Sequence, residues 1–176
     1  QLYASGVGGN QGTWGDEVVV SGLNGPFSYS LGQFHYQTDG FRPNNDFQHD
    51  LYDVFVQAAV TPEFNVQAEY RHRQSDYGYL NINFDGSFDP TGRESLNENI
   101  GRIGARYSPS PQNTLIASLI YADRDNPFSF FTEDGKFEYT NQIQGWQGEA
   151  QWLYKGDSFN VITGMGAYRD EFYLYY

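Results

Sequence analysis

Apolar and polar residues alternate with a period of two in window after window of this chain, each window about ten residues long and bounded by clusters of Gly, Pro, Asn and Asp. Helical periodicity is hard to find anywhere. The pattern predicts an all-β protein with nine strands, roughly Gln1–Gly8, Gly15–Gly22, Phe27–Thr38, Asp50–Val60, Asn65–Ser75, Asn99–Tyr107, Asn113–Ala122, Asn141–Tyr154 and Phe159–Arg169 onward, of which the first is weakest.

The alternation assigns faces. Trp146, Gly148, Ala150, Trp152 and Tyr154 share one side of a strand, against Gln147, Glu149 and Gln151 on the other. Tyr52, Val54, Val56, Ala58 and Val60 oppose Asp53 and Gln57, with Phe55 an exception. Val66, Ala68 and Tyr70 oppose Gln67, Glu69, Arg71 and Arg73, and Ile103, Ala105 and Tyr107 oppose Arg102 and Arg106. Leu115, Ala117, Leu119 and Tyr121 oppose Ser118, with Ile116 and Ile120 as exceptions.

Connections alternate in length. Short turns fall at Leu23–Pro26, Thr61–Phe64, Ser108–Gln112 and Lys155–Ser158, and long loops at Asp39–His49, Asp76–Glu98 and Asp123–Thr140. Strict interleaving is what hairpins crossing one bilayer require, with short periplasmic turns and long external loops. A soluble β-sandwich would produce the same period within each strand, so periodicity alone does not separate the two architectures. Glycines inside strands (Gly101, Gly104, Gly145, Gly148, Gly164, Gly166) and aromatics near strand ends (Phe27, Tyr29, Tyr70, Tyr107, Tyr121, Trp152, Tyr154) favour an antiparallel up-and-down transmembrane β-barrel.

Composition sharpens this picture. Aromatics make up 18% of the 176 residues, while Met occurs once and Cys never. Rings in that proportion suit the two wet rims of an apolar belt. A mean hydropathy of -0.64 and the lack of a long apolar run exclude a transmembrane helix but not a barrel strand, which needs only alternation. The net charge of -12 disfavours nucleic acid as a partner. Membrane lipid and lipopolysaccharide, the remaining barrel strands or another envelope protein, and a small solute or polysaccharide are the expected partners.

The segment Tyr36-Gln37-Thr38-Asp39-Gly40-Phe41-Arg42-Pro43-Asn44-Asn45-Asp46 resembles a strand-to-loop signature of TonB-dependent receptor barrels. The stretch from Phe27 to Tyr168 likewise resembles receptor-like barrels fused to tetratricopeptide repeats in Gram-negative envelopes. The resemblance implies a barrel in the bacterial outer membrane. There is no plug or TonB-box-like segment, so energised uptake is not implied. Nine strands with the last running outward would leave an open edge, and the expectation is an incomplete barrel segment spanning 1–176. The aromatic end Phe172-Tyr173-Leu174-Tyr175-Tyr176 keeps a complete eight-stranded barrel as the alternative.

Chemistry is sparse. Asp53, Gln57, Gln67, Glu69, Arg71, Arg73, Arg102, Arg106, Gln147, Glu149 and Gln151 are candidates to line a lumen, where eight Arg among ten basic residues could bind anionic or sugar groups bidentately. They could equally form an Arg–carboxylate network that fills it. Tyr77, Tyr79, Phe84 and Phe88 are loop aromatics able to stack on carbohydrate or a partner. His35, His49 and His72 lack metal-ligand spacing, while Asp123, Asp125 and Asp134, like Asp85 and Asp89, are loop oxygen-ligand candidates for calcium that match no EF-hand spacing and otherwise read as solvated loop acid. No cofactor and no enzymatic activity are expected, since no Gly-x-Ser-x-Gly elbow is present. Function divides between a transport or export conduit and a structural or adhesive surface barrel with a filled lumen.

Overall fold

A computed structural model of the protein describes residues 1–79 and 90–176. They form one antiparallel sheet of nine strands in sequence order: β1 (Leu2–Gly8), β2 (Trp14–Asn24), β3 (Phe27–Thr38), β4 (Phe47–Ala59), β5 (Phe64–Gly78), β6 (Arg93–Ser110), β7 (Asn113–Thr132), β8 (Gly135–Lys155) and β9 (Asn160–Tyr175). No second layer packs on either face among the described residues, so the sandwich alternative does not hold. Nor does the eight-stranded closed barrel. Phe172 and Tyr175, within β9, pair with Ile143 and Thr140 of β8, and among the described residues β9 touches no other strand and the outer edges of β1 and β9 have no strand beside them.

Turn chemistry sets the hairpins. Gly25, at φ 58°, closes β2 onto β3 with Pro26 after it. The Thr61 hydroxyl accepts the amides of Glu63 (3.3 Å) and Phe64 (3.1 Å) in the turn after β4. The expected long loop Asp123–Thr140 is instead strand on both sides, joined by Glu133 and Asp134 alone. Two features hold this hairpin in extended form. Rings pair across it at Phe128–Tyr139 (5.3 Å) and Phe130–Phe137 (5.1 Å). Pro127 has no N–H to give to β6, but the neighbouring Asn126 amide donates to the Ser95 carbonyl at 2.6 Å in its stead. The other two loops also shrink, because β4 begins at Phe47, β5 reaches Gly78 and β6 begins at Arg93.

Register gives the strands a slant. The row that starts at the Asn24–Phe27 pair passes through Ala58, Val66, Ala105 and Ala117 and arrives at Ala150 on β8. β8 runs on to Lys155 before it turns. Taking the turns as one level, residues 150 to 155 are gained over the steps from β3 to β8, about one residue per strand. That is about 3.3 Å along for 4.8 Å across, a tilt of about 35°.

The sheet has no buried hydrophobic residue among those described, and its two buried polar residues are Ser75 and Glu98. Over β2–β7 the polar face is the more sheltered and the apolar face the more open. With no second layer to cover either, this difference records the curl of the sheet, polar side inward. A soluble sheet does the reverse.

Candidate functional site: two opposed faces and their rims

The outer, apolar face carries a continuous belt. One row reads Leu31, Val54, Tyr70, Gly101, Tyr121, Trp146, the next Tyr29, Val56, Ala68, Ile103, Leu119, Gly148, and the next Phe27, Ala58, Val66, Ala105, Ala117, Ala150. Aromatics mark both borders: Tyr52, Tyr70, Tyr121 and Trp146 toward the loops, and Phe64, Tyr107, Trp152 and Tyr154 toward the turns. From Trp146 to Tyr154 along β8 the belt is about 26 Å long and, at the slant above, about 22 Å high. Just beyond the loop-side border the same face turns polar in one step, with His72, Asn99, Asp123 and Gln144 in one row.

All eleven polar candidates lie on the opposite, inner face. Asp53 faces Arg71, Gln57 faces Gln67, Glu69 faces Arg102 and Arg73 faces Glu98, while Gln147, Glu149 and Gln151 continue the face on β8. Two ion-pair networks form there. In the first, Arg71 reaches Asp53 at 3.3 Å and Glu69 at 3.5 Å, and Arg102 reaches Glu69 at 3.2 Å. In the second, nearly buried Glu98 takes Arg73 at 2.8 Å on one oxygen and Arg124 on the other. Arg106 has no ion pair among the described residues and borders a depression of mixed character, lined by Gln57, Asn65, Gln67 and Ser118 together with Ile116. Glu149 accepts from Ser118 at 3.3 Å.

Glu98 and Arg124 were not among the sequence candidates, because both fell at or within expected loops. No local signal marked them: Asp123 to Pro127 contain no apolar residue but the proline, and only the Phe128-Ser129-Phe130 step resumes the period of two.

Tyr77 lies within β5, its ring 6.0 Å from Phe47, and Tyr79 meets Phe128 edge-on at 4.9 Å, so neither is a free loop aromatic. Phe84, Phe88, Asp85 and Asp89 lie outside the described residues. Asp123 and Asp125 are strand residues, while Asp134 is at the hairpin tip, some nine residues and therefore about 30 Å along β7, so they do not converge.

The loop rim is cross-tied. Arg93 donates to Asp46 at 2.6 Å, and the Asn44 amide donates to the Gly92 carbonyl at 2.8 Å, joining the β3–β4 and β5–β6 connections. The hydrogen bond from Arg93 holds the Asp46 carboxyl below the usual carboxylate range. The three histidines are apart: His35 pairs with Asp50 at 2.6 Å, His49 with Ser75 at 2.7 Å and His72 with Asn99 at 2.9 Å. Burial, aided by the Arg73 charge, pushes His49 below the ordinary histidine value. A histidine with a lowered folded pKa binds its proton more weakly folded than unfolded, so the folded state should lose stability as pH falls from about 6.5 through the folded value. His49→Phe should flatten the pH dependence of the thermal midpoint in that window, and an unchanged slope would show that His49 is not its source.

No protein-family model matches the chain, and no curated protein compared with it matches either.

Proposed function

We propose that the protein forms part of the wall of an outer-membrane-type transmembrane β-barrel and that this wall bounds a transport or export conduit. The observation that carries the reading is the inverted sheet. An exposed apolar belt with aromatic borders backs onto a sheltered polar face, over strands slanted by about 35°, within the range of membrane barrels. On a folded monomer in water a contiguous apolar belt of this size is rare. In lipid it is the required surface, facing hydrocarbon while the sheet satisfies its own backbone. A wall of this kind needs closing strands that run from the loop rim to the turn rim, since β1 and β9 both run toward the loop rim. Membrane lipid and lipopolysaccharide would surround it in a Gram-negative outer membrane, with a small solute or polysaccharide as the cargo class.

A filled, non-conducting barrel is the second reading, and the two Arg–carboxylate networks favour it, because they spend charge on internal pairing rather than on a ligand. Planar-bilayer recordings of the full-length protein separate the two. A conduit gives stepwise conductance, a filled barrel inserts and passes almost no ions, and failure to insert removes the membrane reading altogether.

Topology has its own test. Trypsin added to intact cells should cut at Lys136, beside the β7–β8 tip, and spare Lys155 at the turn rim. Cleavage confined to Lys155 would invert the orientation.

A further inference from the structure

On the inner face near the turn rim lies a depression of about 280 Å³, built from two rows of the register. One row reads Gln57, Gln67, Gly104 and Ser118, and the next toward the turns reads Asn65, Arg106 and Ile116. Two of these residues are out of keeping with their face. Arg71, Arg73, Arg102 and Arg124 each hold a carboxylate there, whereas Arg106 has no ion pair among the described residues. Ile116 turns an aliphatic side chain, 39% exposed, onto the polar side. No hydrogen bond among the described residues engages the side-chain amides of Gln57, Asn65 and Gln67. No carboxylate lines the depression. Glu149 beside it accepts from Ser118, and Glu63 in the turn below takes the Thr61 hydroxyl at 3.0 Å. Gly104 keeps the floor open, since a Cβ there would meet the Gln67 side chain at 3.1 Å.

We propose that this depression binds an acidic sugar, a pyranose ring bearing a carboxylate, on its way through the lumen. Arg106 takes the carboxylate on two parallel N–H donors. The three amides each offer donors and an acceptor to neighbouring ring hydroxyls, and Ser118, whose proton goes to Glu149, offers its lone pairs. Ile116 covers the C–H face of the ring. A neutral sugar gains nothing from the charge of the guanidinium, and a small carboxylate gains nothing from the amides and Ile116, so the site favours a ligand that carries both. Its volume is close to the lower end of ligand pockets, about 300 Å³, the size for one ring rather than a chain of them. The inference rests on the conduit reading above, because an open lumen is what delivers a solute to this wall.

The test is a ligand-observed NMR titration of the full-length protein in lipid nanodiscs with three probes, D-galacturonate, D-galactose and acetate. Galacturonate should bind about tenfold tighter than either of the others, the size expected of one charge-assisted contact. Arg106→Gln should bring galacturonate to within about twofold of galactose, and Arg106→Lys, which keeps the charge but not the fork, should fall between. Ile116→Ser should weaken both sugars alike, by about threefold, and leave acetate unchanged. A trigalacturonate that binds more tightly than the monomer assigns an acidic polysaccharide as the source, and equal affinity assigns a free sugar acid. Galactose binding as tightly as galacturonate overturns the carboxylate contact, and acetate binding as tightly overturns the sugar contacts. A preference that survives Arg106→Gln overturns the site as a whole. Stepwise conductance in planar bilayers without the galacturonate preference removes the site and leaves the conduit standing. A protein that does not enter the bilayer overturns the membrane reading, and the site with it.

Discussion

Arginine in place of Leu119 is expected to cost about 2–4 kcal/mol of stability in a bilayer, the measured range for a cation near the midplane of a membrane barrel. Leu119 sits in the middle of the belt, between Ile103 and Gly148 in its row and between Ala117 and Tyr121 along β7. It is 40% exposed in the isolated sheet. That exposure makes the test decisive. If the face met water, the guanidinium would stay hydrated and the change would fall within about 0.5 kcal/mol. If it meets hydrocarbon, the charge must snorkel or carry water with it. Gln57→Arg on the opposite face is the control, expected to be nearly neutral, and denaturant titration of the folded protein in lipid reads both. Equal sensitivity at the two positions would contradict the assignment of faces.

The second large effect is expected at Glu98, which is 5% exposed and holds Arg73 and Arg124 at once. Glu98→Ala removes the shared acceptor and leaves two guanidinium groups facing each other. Loss of one partner from a fully buried pair costs about 3–5 kcal/mol. Here the arginine side chains are 34% and 43% exposed and recover part of their hydration, so a loss of about 2 kcal/mol is the expected figure. In the conduit reading the same variant should also shift ion selectivity toward anions, by uncovering two positive charges on the inner face. A stability loss without a selectivity change would favour the filled barrel. Neither effect would mean that the network is incidental to the fold.

Where strands begin and end was legible only when breakers stood close on both sides. β3 coincides with its expected range, because Gly25-Pro26 precedes it and Asp39-Gly40 follows. β7 runs to Thr132 rather than Ala122, since Asp123, Arg124, Asp125, Asn126 and Pro127 carry every local sign of a loop. What overrides those signs is cross-strand: Glu98 on Arg124, Asn126 on the Ser95 carbonyl, and the ring pairs with β8. A similar reason hid two of the three members of the second ion-pair network, Glu98 and Arg124. Arg73 was a candidate from its own strand's alternation, but its partner Glu98 closes a separation of 25 positions that no local pattern encodes.

The sequence by itself determined which residues share a face, because the side-chain period of an extended chain is a local property that needs no neighbour. It also determined the all-β class and the composition of the belt. Only the tertiary structure decided the register, and with it the slant of the strands, the level at which tyrosine gives way to asparagine and aspartate on the outer face, and the pairing of each arginine. Those follow from backbone hydrogen bonds between strands, which fix one chain segment against another regardless of what either segment prefers alone. The structure also decided that β1 and β9 do not pair with one another, so the nine described strands do not close on themselves; closure depends on what pairs at an edge and not on the strand that forms it.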